Sequence, residues 1–147
     1  MEKLTDEERE KLQRILGELS DHQAAAEALQ QHLSLLASSL SELSMTLEAI
    51  KMVKGLKPGT DILVPMGSDS FITAKLGTTD KVITGLGADV AAERSSTDAI
   101  VVLQDRRAEL EQALGKAREE LGKLGERIEA LRPEAERILG KAREEQP

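Results

Sequence analysis

His22 and His32 are the only imidazoles among 147 residues, and the chain contains no Cys. Imidazole and thiolate carry most proton transfer, nucleophilic attack and transition-metal ligation near neutral pH, so those chemistries are poorly supplied. Carboxylates are plentiful, but they fall on charged helical faces. None forms an isolated pair in an apolar stretch of the kind that shifts a pKa for acid–base work. Gly85-Leu86-Gly87 invites comparison with a phosphate loop, yet no G-x-x-x-x-G-K-[ST] occurs and no βαβ pattern surrounds it. It reads as a turn. Ser34, Ser38, Ser39, Ser41 and Ser44 cluster on a solvated or packed helix face, with nothing to support phosphorylation. No residue is assigned a catalytic, cofactor-binding or metal-ligating role, and the chain is read as a non-enzyme without cofactors.

The surrounding elements are built for helix pairing. Hydrophobic residues make up 39% and charged residues 32% of the chain, with Phe71 as the one aromatic ring, a composition of long helices and coiled coils. Leu12, Ile15, Leu19, His22, Ala26, Leu29, Leu33, Leu36, Leu40, Leu43, Leu47 and Ile50 follow strict 3-4 spacing. A second series runs Ile100, Leu103, Arg107, Leu110, Leu114, Ala117, Leu121, Leu124, Ile128, Leu131, Ala135, Ile138 and Ala142. Only His22 and Arg107 break their apolar character. Each series is the a/d seam of a left-handed coiled coil, and together they predict an antiparallel helical hairpin. His22 suits either a titratable grip or a residue that fixes register, and Arg107 either register or contact with an anionic partner. The first helix should end near Gly55, before Pro58-Gly59, and Ser95, Ser96 or Thr97 should cap the second.

Between the helices the period falls to two. Ile62–Val64, Ser70–Leu76, Lys81–Thr84 and Asp89–Ala92 predict four strands in two hairpins, punctuated at Gly67–Asp69, Gly77–Asp80 and Gly85–Gly87. Gly67-Ser68-Asp69 recurs as Gly87-Ala88-Asp89 twenty residues later. Such short strands bury little alone, so further strands are expected from other chains. The formal net charge of −7 is spread as a mild acidic excess, which excludes a nucleic-acid footprint. No basic and apolar leader opens the chain and no apolar run approaches membrane-spanning length, so a soluble, cytoplasmic protein without a membrane partner is expected.

Two long helices flanking two small hairpins resemble the α-type subunit of the prefoldin family, over essentially the whole chain. The most specific stretch is Leu63-Val64-Pro65-Met66-Gly67-Ser68-Asp69-Ser70-Phe71-Ile72-Thr73-Ala74-Lys75-Leu76, which is similar to the family's first hairpin, L-V-P-[VL]-G-x-x-S-F-[IV]-x-A. Gly87-Ala88-Asp89-Val90-Ala91 resembles its approach to the last strand, and Pro133 also fits. Asp69 and Asp89 stand where Gly is more usual, and Asp tolerates such a turn. The resemblance implies an α+β fold: a long antiparallel two-helix coiled coil with two small β-hairpins at one end that join an inter-subunit β-barrel. It implies one prefoldin-like domain over 1–147, with helices at 1–55 and 96–143 and an assembly segment at 61–94.

The implied function is an ATP-independent holdase subunit that binds unfolded or nascent polypeptides at the coiled-coil tips and delivers them to a group II chaperonin. The implied partners are β-type subunits, four to two α-type. The candidate client-binding tip comprises Leu4, Leu12, Ile15, Leu16, Leu131, Ile138 and Leu139. Assembly falls to Leu63, Val64, Pro65, Phe71, Ile72, Val82, Ile83 and Val90. Off-seam Leu35, Met45, Met52, Val101 and Val102 widen the apolar stripe, for burial against the platform or a neighbour. Extending the first seam backwards meets Glu8 and Thr5, so pairing is expected to fail within the first ten residues. Gly115, Gly122, Gly125 and Gly140 each cost about 1 kcal/mol of helix stability and Pro133 about 3, so this end of the arm is expected to fray. The alternatives are a self-assembling filament former and a coiled-coil adaptor of the same fold.

Overall fold

Thr5 and Glu8 start the first helix with a reciprocal cap. The Glu8 N–H donates to Thr5 Oγ1 at 3.1 Å while the Thr5 N–H donates to Glu8 Oε2 at 3.0 Å. The computed structural model describes residues 4–144; residues 1–3 and 145–147 of the expected domain lie outside them. Helix α1 spans Asp6–Lys54, with Asp6, Glu7 and Glu8 at its positive end and Lys51 and Lys54 at its negative end. Its last turn closes with the Gly55 and Leu56 N–H groups on the Met52 and Val53 carbonyls. Gly59 then takes a φ of +87°, a conformation that glycine adopts freely.

Two antiparallel hairpins follow. Strand β1 (Asp61–Gly67) pairs with β2 (Ser70–Lys75), and β3 (Lys81–Gly87) with β4 (Val90–Ser95), each pair forming its own two-stranded sheet. Their registers are superposable with a shift of twenty residues: Pro65 faces Phe71 and Gly67 faces Ser70, as Gly85 faces Ala91 and Gly87 faces Val90. Met66 and Leu86 are therefore the extra residues of matching bulges. The two-residue loops Ser68-Asp69 and Ala88-Asp89 all have positive φ, between 49° and 59°, the signature of a type I′ turn. The turn expected at Gly85–Gly87 instead lies at Ala88-Asp89, and β3 runs on through the glycines. The bulge is what moves it: one extra residue in β3 carries the chain further before it reverses.

Helix α2 (Ser96–Glu144) starts on a Ser95 cap, whose Oγ accepts from the Asp98 N–H at 3.1 Å. Buried Ser96 ties the helix to the preceding loop, its N–H on the Asp80 carbonyl at 2.7 Å and its Oγ on that of Thr79 at 3.2 Å. The helix continues without a break through Pro133.

The chain forms two compact units, Ser38–Glu111 and the pairing of Met1–Ala37 with Gln112–Pro147. In the former, Leu47, Ile50, Ala99 and Leu103 make a buried cluster, with Leu43, Ile100 and Val82 of β3 packed against it. Lys54 Nζ donates to Thr97 Oγ1 at 3.0 Å, so the end of α1 meets the start of α2 and the helices run antiparallel. In the latter, Ile15, Leu114, Ala117, Ala135 and Ile138 are buried. Every a/d position of both predicted seams is buried or half-buried, His22 and Arg107 included.

Candidate functional site

The first candidate region lies where the start of α1 meets the end of α2. Of the seven tip residues expected from the sequence, Ile15 and Ile138 are 4% and 0% exposed. Leu4, Leu12, Leu131 and Leu139 are half-buried, and Leu16 is exposed. Seam and off-seam positions thus separate: Leu12, Ile15, Leu131 and Ile138 face the seam, whereas Leu4, Leu16 and Leu139 lie off it.

Pairing does not stop within the first ten residues, as the loss of apolar a/d positions suggested. Lys141 Nζ donates to both carboxylate oxygens of Glu8, at 3.1 and 3.2 Å, with both side chains about four-fifths covered. One turn further in, Lys11 pairs with Glu134 at 2.8 Å, and Glu134 also accepts from Arg137 at 2.8 Å. Charge pairing replaces apolar pairing at the seam's end. Thr5-x-x-Glu8 is a capping-box signature legible in the sequence, and Glu8 then serves both the cap and the bridge.

These contacts hold both carboxylates below the ordinary value of 4.5. For Glu8 the cause is first the Thr5 backbone N–H and then Lys141. For Glu134, pulled down to about 2, it is first Arg137 and then Lys11. A depressed carboxylate contributes stability that is present above 4.5 and lost as pH falls through the folded value. The expected result is loss of amide protection around residues 6–16 and 131–142 between pH 4.5 and 2, measured by hydrogen exchange. The Leu47 cluster, held by apolar contacts, should keep its protection longer.

The second region is the pair of hairpins. Leu63, Pro65, Phe71, Ile72, Ile83 and Val90 are exposed, Ile83 at 75%, while Val64 and Val82 are half-buried. Six assembly candidates therefore face outward, and Val82 anchors its hairpin to the helices. Met66 and Leu86 are equally exposed and were not singled out from sequence. Their signal was the twenty-residue repeat, in which each precedes its positive-φ glycine by one place. All four strands keep one unpaired edge. Leu35, Met45, Met52 and Val101 are also exposed, and Val102 is half-buried. Among the described residues no cluster of His, Asp or Glu is placed to hold a metal ion, and no helix is long and apolar enough to cross a membrane.

An unpaired β-edge beside outward apolar side chains suits assembly, and a long two-helix seam suits an arm. Comparison with known proteins agrees. Residues 22–141 match the family model described as prefoldin subunit. The prefoldin α subunit of Methanopyrus kandleri is 37% identical over 121 residues, 82% of this chain and 77% of that one. That of Pyrococcus horikoshii is 34% identical over 120 residues, 80% of each. Among solved structures, filamentous prefoldin from Methanocaldococcus jannaschii superposes with a TM-score of 0.69 at 25% identity, covering 80% of this chain and 98% of that one. The prefoldin β subunit of Thermococcus strain KS-1 shares the fold alone, with a TM-score of 0.59 at 16% identity over the full length of both chains. By family model, by relatives and by fold, the chain belongs to the prefoldin family of chaperone subunits.

Proposed function

We propose that the chain is the α-type subunit of an ATP-independent holdase, acting over residues 1–147 as one functional domain without catalysis or cofactor. The carrying observation is the pair of matching hairpins: Leu63, Phe71, Ile72, Ile83 and Val90 are exposed on them, and among the described residues each strand has one partner and one unpaired edge. Burying them requires neighbours. β-Type subunits, four to two α-type, would complete inter-subunit barrels and leave the helical arms free to hold unfolded protein for a group II chaperonin in the cytoplasm. Off-seam Leu4, Leu16 and Leu139 supply the apolar contact at the arm end.

The test is an ATP-free aggregation assay on the complex with its β-type partner. The wild-type complex should suppress turbidity of a chemically unfolded protein at near-stoichiometric amounts. A complex carrying Leu4→Ser, Leu16→Ser and Leu139→Ser should need roughly threefold more or worse, because a few apolar anchors dominate such contacts. Equal protection by both complexes would remove the tip assignment.

A filament is the second reading. It is favoured by the likeness to the filamentous Methanocaldococcus jannaschii assembly and by the unpaired strand edges. Electron microscopy of the chain without a β-type partner separates the two: long polymers support the filament, and small particles support the mixed complex.

A further inference from the structure

The two hairpins match in register, yet they differ at two equivalent places. The twenty-residue repeat sets Ala74 against Arg94 and Pro65 against Gly85. Arg94 is half-buried, while its neighbour Glu93 alternates to the exposed face of β4. Arg94 and the exposed Arg106 of α2 line one cavity of about 20 Å³. Ala99 and Leu103 form its buried wall, and Gly85 lies on its exposed side without a side chain. Among the described residues no carboxylate pairs with either guanidinium. In the first hairpin, by contrast, Asp61 and Lys75 face one another across the strands, 4.0 Å apart.

Two guanidiniums that share an apolar wall repel one another, and a carboxylate shared between them relieves that repulsion with charge-assisted hydrogen bonds. The size of the cavity narrows what can supply it. A space of about 20 Å³ holds one water-sized group, enough for the head of a carboxylate and too little for a free metabolite. The rest of the ligand must lie outside, as the body of an adjoining chain does. Exposed Leu86 lines the same cavity at the bulge of β3, a strand with an unpaired edge, so this is where an adjoining strand arrives. Another copy of this chain answers poorly. Of the carboxylates on its strands, Asp61 already faces Lys75, and Glu93 travels with Arg94 on β4. Asp69 and Asp89 sit in the turns, beyond the paired residues. We propose that Arg94 and Arg106 receive a carboxylate side chain of the β-type partner, and that this key makes the second hairpin take a partner subunit in preference to another copy of the chain. The inference rests on the mixed complex proposed above and names the contact that selects for it.

Carbodiimide coupling is the direct test. The chain carrying Arg94→Lys and Arg106→Lys keeps both charges and gains amines, which the reagent joins by an amide bond to a carboxylate in contact. In the complex with the β-type partner, mass spectrometry should find position 94 or 106 joined to an Asp or Glu of that partner. Links only to carboxylates of this chain, or no links, overturn the assignment. Affinity is the second reading. Arg94→Gln with Arg106→Gln should bind the β-type partner roughly ten- to a hundredfold more weakly, as loss of charged hydrogen bonds does. The difference from wild type should shrink as salt rises. Lys116→Gln with Lys123→Gln, exposed on α2, makes the same change in net charge and should leave binding within roughly twofold. Unchanged amide exchange over Lys81–Ser95 in the Arg94/Arg106 variants separates a lost contact from a loosened hairpin. If exchange there quickens as well, the cross-link decides. Equal binding by the Gln variant and the wild type overturns the key and leaves the mixed complex standing. A wild-type chain that binds no β-type subunit overturns the mixed complex, and the key with it.

Discussion

Replacing Gly17, Gly115, Gly122, Gly125 and Gly140 together by alanine is expected to raise the melting temperature of the assembled protein by roughly 10–15 °C. All five are exposed, within α1 or α2 and outside the positive-φ region. Apart from the adjoining residues and the helix's own backbone, no atom lies within 4 Å of an added Cβ at any of them. Nothing in the chain therefore requires glycine, and each change should recover about 0.5–1 kcal/mol of helix propensity. A sum of about 3–5 kcal/mol gives the stated shift for a chain of this length. Circular dichroism melts of the complex measure it. The same variant should protect clients less well if its arms work by opening, since helical alanines oppose that motion. A falling melting temperature would show that these glycines sit against a neighbouring subunit.

Leu47→Ala carries the largest expected loss. Leu47 is 0% exposed, in the cluster of Ile50, Ala99 and Leu103 that also receives Val82 from the second hairpin. Truncating a fully buried leucine costs about 3–4 kcal/mol, part transfer and part cavity. Here the cavity also lies under the seat of β3. The denaturation midpoint should fall without a change in slope, and exchange in Lys81–Ser95 should quicken with it. Met45, two places away on α1 and 70% exposed, is the contrast: Met45→Ala should stay within about 0.5 kcal/mol. A comparable loss at Met45 would mean that a neighbouring chain covers it.

Much of this architecture was legible because helix pairing and strand pairing leave different periods in a sequence. The seams from Leu12 to Ile50 and from Ile100 to Ala142 are covered throughout, since burying a 3.5-residue repeat admits few other solutions. The hairpins were legible from short β-rich runs and turn residues, but the bulges at Met66 and Leu86 were not. A bulge leaves no mark in periodicity, so the second turn was placed too early and two exposed apolar residues were passed over. The arm end was misread for a different reason. Hydrophobic spacing stops at Leu12, whereas pairing continues through Glu8 and Lys141, residues far apart in the chain whose contact no local pattern reveals. The penalties of Pro133 and Gly140 are real, yet in the structure the helix runs through both, held by cross-helix contacts that propensity does not count.

The twenty-residue repeat of the hairpins has a consequence for growth. If the hairpins join subunits as proposed, two elements of matching register, each with unpaired edges, would give the chain a valence of two. Bivalent units that meet only one another add without limit, as links in a chain do. A partner with a single such edge is a terminator. The size of the particle would then be set by the supply of terminators, and a cell could change it by changing the ratio of two transcripts, with no change in either protein.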